Sequence, residues 1–233
     1  MFYLIIILIA AIIVLRTPKG KGALGEFKVN RTAKKYGVLF KNYIIKDDMD
    51  FTHQIDTILV SSKGVFVIET KNYAGRIYGD DNSREWTQVL NYGKVKNRFY
   101  SPVKQNESHC YQVSKILPRN TQIYSYVVFT SNNTENIKSN STIRLKDFNK
   151  IMSYYGDVLD EKQILNIVTL LEENRDTETS NRQHVKNIKL QQDLIENNIC
   201  PRCGGNFVLR HGKNGDFYGC ENYPECKFTK KEN

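Results

Sequence analysis

The sequence predicts an α/β (α+β) core with a mixed sheet, a single transmembrane helix before it and a small four-cysteine module after it. Three observations carry this. Residues 2–15 are apolar and uncharged, helix-like and strand-like patterns alternate between residues 20 and 175, and four of the five cysteines fall in the last 34 of 233 residues. The chain is long enough for one domain of ordinary size and a smaller module.

The apolar run ends at Arg16, Thr17 and Pro18. Its length is about 21 Å as a helix, short of a hydrocarbon core of about 30 Å. Met1 and a snorkelling Arg16 extend it, and local bilayer thinning covers the rest. No Lys or Arg precedes the run, whereas Arg16, Lys19, Lys21, Lys28, Arg31, Lys34 and Lys35 follow it. This asymmetry predicts a single-pass anchor over residues 1–17, N-terminus outside, with the C-terminal domains cytoplasmic. A cleaved signal segment and a buried core helix compete with it. The first wants a basic leading region and a small-residue cleavage site, the second a polar face, and neither is seen.

A short Gly/Lys hinge is expected at residues 20–25. Residues 23–36 read as a basic helix stopped by Gly37. Residues 38–45 are strand-like. The strongest strands are 54–60 and 64–69, joined through Ser61-Ser62-Lys63-Gly64. Weaker strands are expected at 76–78 and 86–90, with turns at 79–82 and 91–94. Ser101-Pro102 pairs an N-cap with a first-turn proline and starts a helix to about Leu117. A strand over 122–130 and an amphipathic helix over 161–173 follow. Residues 176–187 are polar and read as a linker or solvated helix. The expected organisation is an anchor (1–17), a core domain (18–135), a helical extension (136–175), a linker (176–197) and a metal module (198–233).

The chain is 40% hydrophobic and 25% charged, so it supports a packed core. Its formal net charge of +9 points to a polyanionic partner, either nucleic acid or an anionic membrane face. No P-loop and no G-x-G-x-x-G fingerprint is present, which argues against nucleotide-driven motors and dinucleotide enzymes.

If Ser62-Lys63 closes a two-residue hairpin loop, Ser61 faces Gly64, Val60 faces Val65 and Asp56 faces Glu69. Opposed side chains have Cβ atoms about 4.5–5.5 Å apart, and two carboxylates at that range repel. A divalent cation removes the objection. Lys71 lies two residues beyond Glu69 and so shares its face. Two hard oxygen ligands and an ammonium suit Mg²⁺ or Mn²⁺ and phosphodiester hydrolysis. The competing reading is an amphipathic hairpin whose carboxylates face solvent, with Lys71 as their salt-bridge partner.

The stretch from Gln54 to Tyr73 (QIDTILVSSKGVFVIETKNY) resembles the nuclease-related domain family, which is grouped with PD-(D/E)xK nucleases. So do Lys21-Gly22-Ala23-Leu24-Gly25-Glu26, Gly75-Arg76-Ile77-Tyr78-Gly79, Trp86, Ser101-Pro102-Val103-Lys104-Gln105-Asn106 and His109. The resemblance covers about residues 20–135. It implies a restriction-endonuclease-like core, Asp56 and Glu69 as metal ligands, Lys71 as catalytic, and Glu26 and Gln105 completing the site. Ile55 stands where the superfamily name has proline. Glu26 also suits a helix N-terminus, Gln105 an ordinary first turn, His109 a structural role and Cys110 a core position.

Cys200-Pro201-Arg202-Cys203 and the Cys220/Cys226 pair stand 16 residues apart. In a reducing compartment this reads as a tetrahedral Cys₄ site for one structural Zn²⁺, with disulfides as the alternative. So short a module needs the metal to fold. The segment from Cys200 to Lys230 resembles the zinc ribbon of type IA DNA topoisomerases, which implies single-stranded or junction DNA as a partner. Arg202, Arg210, Lys213 and Lys227 suit phosphates, and Phe207, Phe217, Tyr218 and Tyr223 suit stacked bases or the ribbon's own core. The two functional expectations are therefore a membrane-anchored, metal-dependent nuclease and a non-catalytic protein that tethers DNA.

Overall fold

The structure, a computed structural model, describes residues 17–47, 51–131, 133–179, 181–212 and 215–230. The expected anchor lies outside these residues apart from Thr17. Among the described residues no helix is long and apolar enough to cross a membrane. Two compact units are present, one running to Tyr43 and resuming over Ile55–Arg175, the other made of Ile44–Gln54 and the chain from Asp176 onward.

In the first unit, helix α1 (Pro18–Ala33) starts on Thr17, whose hydroxyl accepts the Gly20 N–H at 3.1 Å, with Pro18 at the helix start. The hinge expected at residues 20–25 is therefore helix. A Thr-Pro start outweighs the glycines, and Gly25 has its own use. A Cβ there would come within 3.0 Å of Asn72 Cβ, so the glycine lets the helix lie close over the chain.

Strands β1 (Val38–Lys46), β2 (Thr52–Ser61) and β3 (Gly64–Lys71) lead to the central sheet. The β2–β3 register is the one expected from the loop, running from Ser61↔Gly64 to Thr57↔Ile68. Strand β7 (Ile123–Phe129) lies parallel to β3, and β9 (Thr142–Arg144) lies parallel to β7. The order β1-β2-β3-β7-β9 makes the sheet mixed. Strand β9 comes from the region expected to be only helical. Three residues on a sheet edge are too few for a visible period.

A second sheet is built from β4 (Arg76–Asp80), β5 (Glu85–Leu90), β6 (Val95–Tyr100) and β8 (Ile137–Lys138), in the order β6-β5-β4-β8. Its inner face carries Ile77, Trp86 and Phe99. Gly79 stands under Trp86, where a Cβ would fall 2.2 Å from the indole. Helix α2 (Pro102–Ile116) begins on the Ser101 cap, and its Val103 joins the same core with Val127 and Phe129 of β7. On the other side of the central sheet, Val29 and Ala33 of α1 pack with Leu59, Phe66, Ile68 and Val128. Phe148 and Met152 of α3 (Phe148–Ser153) close that layer. Helix α4 (Glu161–Glu173) carries a capping box at Asp160 and Gln163 and buries Ile167 and Leu171.

In the second unit, helix α5 (Asn181–Glu196) occupies most of the segment expected as a linker. Its His184 Nδ1 lies 2.8 Å from the Thr52 hydroxyl. The C-terminal module is a three-stranded sheet of β10 (Phe207–Gly212), β11 (Gly215–Cys220) and β12 (Thr229–Lys230), paired antiparallel throughout.

Candidate active site and metal centre

The candidate active site lies where the β2–β3 ladder ends. Beyond Thr57↔Ile68 the strands part, and the Asp56 side chain replaces the next rung by accepting the Thr70 N–H at 2.8 Å. Glu69 is 2% exposed. Lys71 points to the same face, donating to Glu69 Oε1 at 2.5 Å and to Gln105 Oε1 on α2 at 3.2 Å. Of the expected grouping, Glu69, Lys71 and Gln105 are thus joined by direct contacts, and Asp56 lies close enough to Glu69 and Lys71 for their charges to act on it. Glu26, half-buried on α1, is close enough to Asp56 and Glu69 for its charge to act on both. Glu69 Oε2 is buried without a hydrogen-bond partner, 3.6 Å from His109 Nδ1.

Two buried amides hold this geometry. Asn106 Nδ2 donates to Val67 O and Ser125 Oγ, both at 2.8 Å, which pins α2 across β3 and β7 and aims Gln105. The Thr57 hydroxyl donates to Asn30 Oδ1 at 2.7 Å, which pins α1 and places Glu26. Neither role was legible in the sequence, where both residues look like ordinary helix polars.

Burial and mutual repulsion set the protonation of the site. Burial first, and the Glu69 charge second, push Asp56 up to about 7 against the Thr70 N–H and Lys71. Burial also raises Glu69, opposed by Lys71, and raises Glu26 together with the charge of Asp56. For Lys71, burial favours the neutral amine, but the Glu69 carboxylate outweighs it and keeps the ammonium. Three carboxylates are therefore held against their own repulsion beside the Lys71 ammonium, and one buried Glu69 oxygen lacks a hydrogen-bond partner. That donor set fits a hard divalent cation, with Asp56 and Glu69 as its ligands. The carboxylates are not drawn tightly together. Among the described residues, the four cysteines are the one group of three or more candidate ligands whose donor atoms all lie within 4.8 Å of one another.

Those cysteines are Cys200, Cys203, Cys220 and Cys226. Cys203 and Cys220 have sulfurs 3.1 Å apart, and Cys200 and Cys226 3.6 Å apart. A tetrahedral Zn–S distance of about 2.3 Å puts sulfurs about 3.8 Å apart, so the cluster fits one zinc after slight expansion. Cys200, Cys220 and Cys226 are buried with Phe207 and form the module's core. Burial raises the Cys203 thiol, but the Gly205 N–H and the neighbouring cysteines and Asn222 bring it down to about 6. Cys220 is pushed up to about 12, first by burial and then by Cys203. Cys110 stands apart on α2, with burial pushing its thiol up to about 11.

The residues expected to touch nucleic acid divide by exposure. Phe207 is buried and offers no face to a base, and Tyr218 packs partly against the same core. Arg202 and Lys227 are exposed, and Tyr223 is 59% exposed. Arg210 lies over the Tyr223 ring at 5.3 Å. Arg210, Phe217, Tyr223 and Lys227 line one groove of about 630 Å³. Lys213 lies outside the described residues.

Residues 21–130 match the family described as the nuclease-related domain, and residues 197–233 match the topoisomerase DNA binding C4 zinc finger. An uncharacterized protein of Bacillus anthracis is 32% identical over a 199-residue alignment that covers 78% of this chain and 92% of that protein. DNA topoisomerase 1 of Methanocaldococcus jannaschii is 53% identical over 38 residues, 16% of this chain but 5% of the topoisomerase. An uncharacterized protein of Escherichia coli is 54% identical over 34 residues, 15% of this chain and 19% of that protein. No solved structure matches the chain. With the matched residues spanning Glu26, Asp56, Glu69, Lys71 and Gln105, and a relative of the same extent, this chain belongs to the nuclease-related domain family and carries a topoisomerase-type C4 zinc ribbon.

Proposed function

We propose that this protein binds DNA and hydrolyses its phosphodiester bonds at the Asp56–Glu69–Lys71 site. The observation that carries the reading is the grouping itself. A buried glutamate, an aspartate raised toward neutrality, and a lysine held by Glu69 and Gln105 share one face at a ladder's end. Asp56 and Glu69, with Glu26 nearby, would hold Mg²⁺ or Mn²⁺, which supplies a polarised phosphoryl oxygen and an acidified water. In the reaction a water oxygen joins phosphorus, the P–O ester bond breaks, and the departing oxygen takes up a proton. Lys71 balances the negative charge that builds on the phosphoryl oxygens, and Gln105 fixes where its ammonium points.

The ribbon is the DNA-holding module in this reading. Arg202, Arg210 and Lys227 meet phosphates, while Tyr223 and Phe217 offer ring faces to unpaired bases, which favours single strands or junctions. One Zn²⁺ on the four cysteines supplies the module's stability. The apolar run at residues 2–15 and the basic residues after it support a membrane tether with the catalytic and ribbon domains on the cytoplasmic side.

One observation favours the non-catalytic alternative. The Lys71 ammonium already satisfies one Glu69 oxygen, as a purely structural ion pair would. Incubation of the protein with labelled single-stranded DNA, duplex DNA and RNA, with and without Mg²⁺ or Mn²⁺, separates the readings. Divalent-dependent cleavage of DNA is the expected result. Binding without cleavage under every condition would leave only the tethering role.

A further inference from the structure

We propose that the outer face of the β4–β5–β6–β8 sheet is a second binding surface for single-stranded DNA, separate from the ribbon. This rests on the reading that the protein acts on DNA.

The pleat assigns the faces. Ile77, Trp86 and Phe99 point into the core, so their neighbours in sequence point outward. Registers Arg76↔Val89↔Lys96 and Tyr78↔Thr87↔Arg98 set two cross-strand rows on that outer face. Tyr100 opposite Glu85 makes a third, and Lys138 on β8 stands beside Asp80. Arg76, Lys96 and Lys138 are exposed, as is Arg98, whose side chain is 79% exposed. Tyr78 is 39% and Tyr100 51% exposed.

Four cations therefore share the face with two tyrosine rings. The acids on it are Glu85 and Asp80. Asp80 is spent locally: its carboxylate takes the Asn82 and Ser83 N–H groups and the Ser83 hydroxyl and sits beside Lys138. Glu85 is 3.9 Å from Arg98, a weak exposed pair. The net charge of the face is positive. Lys96 and Arg98 are about 7 Å apart along one strand, a row of charge that follows a phosphate backbone. Exposed rings between such charges are what unpaired bases stack on, and a duplex offers them no base faces. That combination selects single-stranded DNA over duplex and over an anionic lipid surface. The face also leads to the candidate active site, because Tyr100 immediately precedes the Ser101 cap of the helix that carries Gln105.

The test uses the full-length protein in detergent micelles, with fluorescent single-stranded and duplex DNA of equal length over a range of salt. Lys96→Gln/Arg98→Gln should weaken single-strand binding by about tenfold and lower the slope of log K against log salt by about 1.4, given about 0.7 per neutralised phosphate contact. Tyr100→Ser should weaken binding severalfold with the slope unchanged, since stacking releases no counterion. Glu85→Gln should strengthen binding, which guards against a loss caused by misfolding. Unchanged single-strand affinity and slope in the Lys96/Arg98 variant, while the wild type binds, would overturn the inference and leave the proposed function standing. A larger loss for duplex than for single strand would overturn it too. So would reduced retention of phosphatidylserine in the micelles with DNA affinity untouched. A wild type that binds no DNA at all would instead remove the functional reading beneath it.

Discussion

The Asp56 carboxylate accepts the Thr70 N–H one step past the last rung of the β2–β3 ladder, at 2.8 Å. An acidic side chain thus does a backbone carbonyl's work where two strands separate. The same contact holds Asp56 beside Glu69, so each carboxylate opposes ionisation of the other.

The arrangement has a cost that depends on pH. The folded-state pKa of Asp56, about 7, lies above its ordinary value, so the native state binds the proton more tightly than the unfolded chain. Stability from this group is present below about pH 4 and is lost as pH rises toward 7. Asp56→Asn should therefore stabilise the protein at pH 8 by on the order of 1–2 kcal/mol and change little at pH 4. Urea unfolding at the two pH values checks this. Equal effects at both would show that Asp56 is not held against its charge.

Lys71→Met should act in the opposite sense. It strands Glu69, whose carboxylate is almost fully buried, and breaking a buried pair from one side costs about 3–5 kcal/mol. The loss should shrink toward pH 4 as Glu69 takes up a proton. Denaturation midpoints across that range measure it.

Asn106→Ala should destabilise the first unit by about 2–4 kcal/mol, because it leaves the Val67 carbonyl and the Ser125 hydroxyl without their buried partner. If the amide aims Gln105 as argued, cleavage should fall further than stability alone explains. Rates measured well below the melting temperature separate the two effects.

How much of this was legible in the sequence varies from element to element. The β2–β3 register followed from a two-residue loop, and with it the common face of Asp56, Glu69 and Lys71, because a strand's period leaves little freedom. The start of α2 was visible in Ser101-Pro102. Thr17-Pro18 carries the same kind of signal, but it closes the apolar run and is followed at once by Gly20, Gly22 and Gly25, so the helix begins ahead of the expected residue 23. Strand β6 stayed hidden because its outer face is charged and only Phe99 is pinned inside. Asn106 and Asn30 were invisible as clamps because their partners are backbone and side-chain groups far away in sequence. The Cys₄ cluster was legible because its spacing alone limits the chemistry, whereas burial of Phe207 depends on how the ribbon folds around it.

The ribbon should contain one Zn²⁺ per chain. Cys220→Ser/Cys226→Ser should abolish zinc binding and local order, since metal binding supplies most of so small a module's stability. Elemental analysis under reducing conditions reads the first effect and proteolysis of the ribbon the second. Cys110→Ser should leave the zinc content unchanged, as Cys110 is not among the clustered thiols.

The proposed function requires Asp56 and Glu69 to be the metal-binding carboxylates of a phosphodiesterase. Its most direct test compares DNA cleavage by the wild type and by Asp56→Ala/Glu69→Ala, at matched zinc content and matched thermal stability, over a titration of Mn²⁺. Cleavage that rises with Mn²⁺ in the wild type and is absent from the double variant is the predicted result. A double variant that cleaves at the wild-type rate would contradict it.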